Sequence, residues 1–214
     1  FIHVIRRNFD MNILLFNNRI YGLTKGQYSP TSKLGKITKS TPMGSIDHPF
    51  NPLALCMGAE STFIARTIDR DPKHIRDIIM KAEQHKGTSL VEIYQNCNIF
   101  NDGAFAPFTD KETKLENSIY LEHGEPLVFG DKNDKGVILD GFTPRVVDLN
   151  TDDYLLENLW IHDENDRNKA NILTRFFEDT SNENTLPRPF GIIYKESRLS
   201  YEQALMDQLN YVKD

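Results

Sequence analysis

The stretch ILLFNNRIYGLTKGQYSPTS, residues 13–32, joins an apolar run to a polar loop that contains two glycines and a proline. An apolar run that stops at two asparagines predicts a buried strand, which delivers a loop to one edge of a sheet. The loop offers amide oxygens, hydroxyl groups and one lysine. Such a composition suits a phosphate bound together with Mg²⁺, because hard cations prefer oxygen ligands and glycines let backbone N–H groups approach an anion. A plain strand-to-loop turn is the simpler interpretation from composition alone.

Strand and helix patterns alternate along the first half of the chain. Strands are predicted at residues 12–16, 61–67 and 89–95, and helices follow Asn51-Pro52 and Asp71-Pro72. This alternation predicts crossover connections and an α/β fold with an open, mostly parallel sheet flanked by helices. The carboxyl ends of these strands would meet at one edge. Three polar segments are therefore expected to lie near one another, at residues 17–31, 69–70 and 95–98.

The pattern changes after about residue 102. We expect residues 1–104 to form the main domain and residues 105–214 to form an irregular α+β extension. Within the extension, short strands are predicted at residues 126–129, 136–139, 145–148, 158–162 and 190–194. Helices are predicted at residues 168–179 and from Ser200 onward, with a loop at residues 180–184.

Charge is distributed unevenly between the two halves. Residues 1–100 contain 13 Lys or Arg against 8 Asp or Glu, whereas residues 101–214 contain 12 against 23. The basic half suits anionic ligands, and the acidic half argues against nucleic acid as a partner. The acidic half is interpreted as a solvated face in preference to a dedicated docking surface.

The chain has no apolar run near the roughly 20 residues that cross a bilayer, and its first residues do not resemble a signal peptide. Two distant cysteines give no disulfide framework. We therefore expect a cytoplasmic protein that does not insert into membranes. The first nine residues follow a helical pattern without a cap, which suggests that a further N-terminal portion precedes them.

Three segments together resemble the beta subunit of 2-oxoacid:ferredoxin oxidoreductases, and most of all the 2-oxoglutarate branch. They are NNRIYGLTKGQYSPTS at residues 17–32, TPMGSIDHPFNP at residues 41–52 and VEIYQNCNIFNDGAF at residues 91–105. The resemblance covers roughly residues 1–105 and continues less distinctly through residues 121–130. It implies that residues 1–104 are the C-terminal part of a thiamine diphosphate-binding domain and that residues 105–214 extend the subunit.

The resemblance also implies roles for residues of the loop. The Asn18 side chain and the main-chain carbonyl of Ile20 would ligate Mg²⁺, which holds the diphosphate. Leu23 and Lys25 would contact the substrate, with Leu23 enlarging the pocket and Lys25 meeting a second carboxylate or the anionic coenzyme A. The cofactor itself would be contacted by Asn18, Tyr21, Gly22, Leu23 and Thr24.

Cys97 resembles the family's late cysteine that completes a [4Fe–4S] cluster, for which thiolates are the expected ligands. Cys56 lies in an apolar helix and is interpreted as structural. The family's Gly-Asp-Gly motif and its other cluster cysteines are not in these 214 residues, and in the family they would precede Phe1. No catalytic acid or base is assigned here, because in this family the glutamate that activates thiamine belongs to the alpha subunit.

The activity that the resemblance implies is oxidative decarboxylation of 2-oxoglutarate to succinyl-CoA. The expected cofactors are thiamine diphosphate, Mg²⁺ and a [4Fe–4S] cluster, and the expected partners are the alpha subunit, ferredoxin and coenzyme A. One alternative is another thiamine diphosphate-dependent oxidoreductase or decarboxylase, acting on pyruvate or on branched-chain 2-oxoacids. A second alternative is a non-catalytic fragment that only binds a partner.

Overall fold

The computed structural model describes residues 1–150, 156–176 and 186–212. In chain order, the strands are β1 (Met11–Asn17), β2 (Phe63–Ile68), β3 (Thr88–Tyr94), β4 (Ser118–Tyr120), β5 (Val128–Phe129), β6 (Lys135–Asp140), β7 (Thr143–Asp148) and β8 (Arg188–Lys195). The helices are α1 (Ile2–Arg7), α2 (Pro52–Gly58), α3 (Pro72–Gln84), α4 (Ala106–Thr109), α5 (Lys114–Asn117), α6 (Arg167–Thr174) and α7 (Tyr201–Tyr211). A 3₁₀ helix spans Leu156–Asn158. None of the helices in the described ranges is long and apolar enough to span a bilayer.

Five strands form the main sheet in the order β1-β3-β2-β8-β4. The three predicted strands β1, β3 and β2 are parallel, and Tyr94 of β3 lies opposite both Asn17 and Ile68 at the carboxyl edge. β8 runs antiparallel to β2, and β4 runs parallel to β8. The predicted α/β class with a mostly parallel sheet is therefore confirmed.

Capped helices cover the two faces of this sheet. The Asn51 side chain accepts a hydrogen bond from the Ala54 N–H (3.1 Å) at the start of α2, and Asp71 caps α3 by accepting from the His74 N–H (3.0 Å). Successive residues of β2 point to opposite faces, so Phe63 and Ala65 pack in one apolar cluster with α3, and Ile64 packs in another with α2. Every residue of β2 and β3 is buried for this reason. The prediction of a buried strand was wrong for β1, which lies at the edge of the sheet and exposes Met11, Leu14 and Phe16.

The second half of the chain builds its own small sheet but shares the main core. β5, β6 and β7 form a three-stranded antiparallel sheet. Leu127, Val137 and Trp160 belong to the same buried cluster as Leu53 and Leu90. β8, which is also in this half, lies in the main sheet. The division into residues 1–104 and 105–214 stays a prediction, and the two segments share one core.

Several predicted elements differ in extent or kind. Residues 158–162 do not form a strand: Asn158 ends the 3₁₀ helix, and Ile161 makes an isolated antiparallel bridge with Pro126. α6 ends at Thr174, before the predicted end at residue 179. Residues 177–179 of that prediction and the loop at residues 180–184 lie outside the described residues. α4, α5 and β4 were not predicted, because elements of three or four residues show no periodicity.

Candidate cofactor-binding site

The carboxyl edge of the parallel strands gathers the three polar segments, as expected. The Gln95 N–H donates to the Asn17 carbonyl (3.0 Å), and the Asp69 N–H donates to the Tyr94 carbonyl (2.8 Å). The Asp69 carboxylate then accepts from the Asn96 N–H (2.8 Å). These hydrogen bonds hold the segments that leave β1, β2 and β3 side by side.

Asn17 is the last residue of β1, and both the nitrogen and the oxygen of its side-chain amide form hydrogen bonds. Its Nδ2 donates to Glu92 Oε1 (2.8 Å) on β3, and its Oδ1 accepts from the Thr31 hydroxyl (2.7 Å) and the Arg19 N–H (3.2 Å). Glu92 in turn accepts from Arg66 Nε (2.8 Å) on β2, and both of these side chains are fully buried. Asn17 is thus a structural anchor that links the sheet to both ends of the loop.

Asn18 is placed differently from Asn17. Its side chain is half-buried, and its Oδ1 accepts a hydrogen bond from the Ile20 N–H (3.2 Å). Asn18, Ile20 and Tyr21 together line an open cavity of about 500 Å³, whose polar wall also includes Ser29 and Thr31. The structure therefore brings together the two predicted Mg²⁺ ligands and one predicted cofactor contact.

Asn101 fixes the backbone of the residues that form this wall. Its Nδ2 donates to the carbonyls of Asn18 (2.9 Å) and Arg19 (3.3 Å), and its Oδ1 accepts from Lys36 Nζ (2.6 Å). Ser32 adds a second restraint, because its hydroxyl donates to the Arg19 carbonyl (2.6 Å). Asn101 thus clamps the loop from the segment that follows β3.

The remaining predicted contacts do not line this cavity. The backbone at residues 21–27 closes into a tight turn, with the Tyr21 N–H donating to the Gln27 carbonyl (2.8 Å). Gly26 has a φ of 96°, and a Cβ there would lie 3.1 Å from the Phe100 ring, so this turn packs on the segment after β3. Leu23 is completely exposed. Thr24 and Lys25 also face solvent, and Gly22 is half-buried.

The residues at the cavity fit only part of a Mg²⁺ site. An amide oxygen from Asn18 and a carbonyl from Ile20 are the oxygen ligands that Mg²⁺ prefers, but its octahedral geometry requires six. No cluster of three or more His, Cys, Asp or Glu residues within the described ranges is placed to hold a metal ion. Further ligands would have to come from a bound diphosphate, from water or from other protein groups.

The two cysteines occupy contrasting positions. Cys97 is half-buried in the segment after β3, where the Asn101 N–H donates to its carbonyl (2.9 Å). Cys56 is fully buried in α2, and burial raises the pKa of its thiol to about 12, with the charge of Glu92 adding to the shift. The described residues thus offer one accessible cysteine, where a [4Fe–4S] cluster takes four cysteine ligands. The cluster assignment of Cys97 stays a prediction.

Sequence reasoning missed the residues that support this site. Glu92 and Arg66 did carry a signal, because each is a charge inside an apolar strand, and buried charges require partners. No role was predicted for Asn101. Asn101 contacts Asn18 and Arg19, which precede it by 83 and 82 positions. No local sequence pattern predicts a contact over such a distance.

Comparisons with known proteins are consistent with a cofactor-binding site in this part of the chain. The family described as "Thiamine pyrophosphate enzyme, C-terminal TPP binding domain" matches residues 1–93. The chain is 46% identical over 210 residues to the "2-oxoglutarate oxidoreductase subunit KorB" of Mycobacterium tuberculosis, which covers 97% of this chain and 54% of that protein. It is 44% identical over 111 residues to the "2-oxoacid:ferredoxin oxidoreductase subunit beta" of Saccharolobus solfataricus, covering 52% of this chain and 36% of the relative.

A solved structure shares the fold. It is a 2-oxoglutarate:ferredoxin oxidoreductase from Magnetococcus marinus with 2-oxoglutarate, coenzyme A and succinyl-CoA bound. The superposition has a TM-score of 0.69 at 25% identity, and it covers 99% of this chain and 56% of the other. The predicted resemblance and the thiamine diphosphate-binding fold are confirmed. The chain spans about half the length of the Mycobacterium relative and of this structure.

Proposed function

We propose that this chain is part of the beta subunit of a 2-oxoglutarate:ferredoxin oxidoreductase. The observation that carries the proposal is the cavity at the carboxyl end of β1, where Asn18 and Ile20 lie within the segment that matches the thiamine diphosphate-binding family. The reaction would convert 2-oxoglutarate, coenzyme A and two oxidised ferredoxins to succinyl-CoA, carbon dioxide, two reduced ferredoxins and one proton. The printed names of the relatives support this choice of substrate.

In this proposal the loop binds and orients the cofactor. Asn18 Oδ1 and the Ile20 carbonyl would hold Mg²⁺, and the residues from Tyr21 to Thr24 would contact thiamine diphosphate. When bound, thiamine diphosphate supplies the electron sink for decarboxylation of a 2-oxoacid. The protein contributes preorganised positions, because Asn17 ties the end of β1 to Glu92 through a buried hydrogen bond and Asn101 donates to the Asn18 carbonyl. No acid or base of this chain is assigned to the reaction.

Leu23 and Lys25 are the proposed substrate-selecting residues. 2-Oxoglutarate carries two carboxylates, and Lys25 would meet the second one, or else coenzyme A. Both side chains face solvent in this chain, so other protein groups would have to close the pocket around them. Cys97, which lies after β3 on the same edge of the sheet, would be one ligand of the cluster that passes electrons to ferredoxin.

An alpha subunit is the proposed partner that covers the long loop after β1. Between residues 23 and 46 this loop exposes large apolar side chains, which in monomeric proteins rarely cluster without function. They are Leu23, Leu34, Ile37, Met43 and Ile46. The proposal places the complex in the cytoplasm and involves neither a membrane nor a nucleic acid.

Asn18→Ala in the full-length complex tests the cofactor assignment. We expect Mg²⁺-dependent thiamine diphosphate affinity to fall by at least about tenfold, the usual loss when a metal ligand shell is impaired. Isothermal titration calorimetry measures this affinity directly. Asn171→Ala, an exposed amide on α6, is the matched control and should bind like the wild type. Unchanged thiamine diphosphate affinity in Asn18→Ala contradicts the assignment.

A further inference from the structure

The turn at residues 21–27 packs on the protein through its glycines and exposes its side chains. Both glycines of the turn, Gly22 and Gly26, lie beside the ring of Phe100. Between them, Leu23, Thr24 and Lys25 are exposed to solvent. The backbone of the turn thus rests on one aromatic ring, while the residues proposed to select the substrate project into solvent.

Phe100 approaches the backbone of this turn closely. A Cβ at Gly26 would lie 3.1 Å from Phe100 Cδ1 and 3.6 Å from Phe100 Cβ, and a Cβ at Gly22 would lie 3.9 Å from Phe100 Cδ2. Gly26 also has a φ of 96°, a conformation that favours glycine. A side chain at position 26 would therefore displace either the ring or the turn.

The contact with Phe100 matters because the hydrogen bonds of the turn are local. The Lys25 N–H donates to the Gly22 carbonyl (3.0 Å), and the Gly26 N–H donates to the Tyr21 carbonyl (3.1 Å). These bonds fix the shape of the turn but not its orientation on the protein. Lys25 also has a φ of 64°, which a residue with a side chain keeps only when its surroundings hold it there.

Phe100 is itself held in a closed turn. The Asn101 N–H donates to the Cys97 carbonyl (2.9 Å), and Asn101 Nδ2 donates to the Asn18 carbonyl (2.9 Å) at the start of the loop after β1. Phe100 and Asn101 are neighbours in sequence, so one short segment contacts both the predicted metal ligand and the turn at residues 21–27. Phe100 does not line the cavity of Asn18, so it supports the turn from outside the proposed cofactor site.

We propose that Phe100 is a positioning residue, which orients the turn at residues 21–27 for substrate selection. This inference rests on the proposed function, because Leu23 and Lys25 select a substrate only if the complex acts on a 2-oxoacid. The ring acts through the backbone of the two glycines and not on the substrate. Without the ring, the turn keeps its internal hydrogen bonds but presents Leu23 and Lys25 in more than one orientation.

Phe100→Ala in the intact complex, assayed at saturating thiamine diphosphate and Mg²⁺, tests this role. We expect the ratio of kcat/KM for 2-oxoglutarate to kcat/KM for pyruvate to fall about tenfold, the usual effect of one lost charge-assisted contact. The fall should lie mainly in KM for 2-oxoglutarate, because pyruvate lacks the second carboxylate that Lys25 would meet.

Two further variants separate positioning from a general loss of structure. Phe100→Tyr should restore the wild-type ratio, because the ring atoms nearest to the glycines are Cγ and the two Cδ atoms, and the added hydroxyl lies at the far end of the ring. Ile99→Ala removes an exposed side chain next to Phe100 and should keep the wild-type ratio. A Phe100→Ala complex with the wild-type ratio overturns the proposal.

Hydrogen–deuterium exchange at residues 21–27, measured in the same complex without substrate, does not depend on activity. Exchange in Phe100→Ala should be about tenfold faster than in the wild type, because the turn opens more often once the ring is lost. Exchange at the wild-type rate in Phe100→Ala also overturns the proposal. A wild-type complex that oxidises neither 2-oxoacid contradicts the proposed function and, with it, the role in selection, whereas the exchange rates still decide whether Phe100 holds the turn.

Discussion

The loop after β1 has a root, residues 17–20, and a tip, residues 21–27, that are held in opposite ways. In the root, Asn17, Arg19 and Ile20 are buried, and hydrogen bonds from Asn101, Ser32 and Thr31 hold them. In the tip, the hydrogen bonds are local to the turn, and Leu23 is completely exposed. The root is therefore held by contacts with distant segments of the chain, whereas the tip packs on Phe100 through Gly26 and leaves its Leu23 side chain in solvent.

This difference separates two tasks. The residues proposed to hold Mg²⁺ are in the root, where rigid positions favour a cation with strict geometry. The residues proposed to select the substrate are in the tip, where a contact with a partner subunit would complete their environment. Changes in the root should therefore alter stability, and changes in the tip should alter selectivity.

The largest effect is expected from Glu92→Ala, which leaves Arg66 buried and without its ion pair. Loss of one partner of a buried pair costs about 3–5 kcal/mol, and Asn17 loses its hydrogen bond as well. Urea denaturation of the complex measures the change in the free energy of unfolding. The control Glu122→Ala removes an exposed carboxylate and should change stability by less than about 0.5 kcal/mol. Equal stability of the two variants would show that the root does not depend on this network.

A smaller effect is expected from Asn101→Ala, which removes the clamp on the root. The carbonyls of Asn18 and Arg19 lose a donor, at a cost of about 1–3 kcal/mol. Thiamine diphosphate should also bind more weakly, because the Asn18 backbone is no longer held. Denaturation and calorimetry on the same preparation measure both changes. Asn98→Ala, which changes an exposed amide in the same turn, is the control. If Asn101→Ala matches this control in both stability and thiamine diphosphate affinity, Asn101 does not hold the root.

The smallest effect on stability is expected from Leu23→Ala, within about 0.5 kcal/mol of the wild type, because the side chain is fully exposed. Its effect should appear in the ratio of kcat/KM for 2-oxoglutarate to kcat/KM for pyruvate, measured in the intact complex. Leu34→Ala, an exposed leucine outside the tip, should leave this ratio unchanged. A Leu23→Ala enzyme with the wild-type ratio would exclude Leu23 from substrate selection.

The root could be foreseen in part from the sequence. The apolar runs of β1, β2 and β3, together with capped helices between them, predict parallel strands, and parallel strands place their carboxyl ends at one edge. That logic located Asn18 beside the segment that contains Cys97. This inference depends on local sequence patterns and on a general rule of chain crossover, so it requires no knowledge of contacts between distant residues.

The supports of the root could not be foreseen, because they join distant segments of the chain. β8 pairs with β2 although more than 120 residues separate them in sequence. A short apolar run predicts a strand but not which other strand it pairs with. Arg19 lies within the predicted polar loop, and no role was predicted for it. Its burial against Tyr94 and Phe105 depends on the packing of the segment after β3, which no periodicity reports.

The burial of Cys56 makes the thiols of Cys56 and Cys97 unequal in chemical reactivity. A thiol with a pKa near 12 stays protonated at neutral pH, and the protonated form is neither a good nucleophile nor readily oxidised. Cys97 is the accessible member of the pair. In a protein that lacks the proposed cluster, a thiol-directed fluorophore or spin label would therefore attach to Cys97 in preference to Cys56, and it would report on the sheet edge.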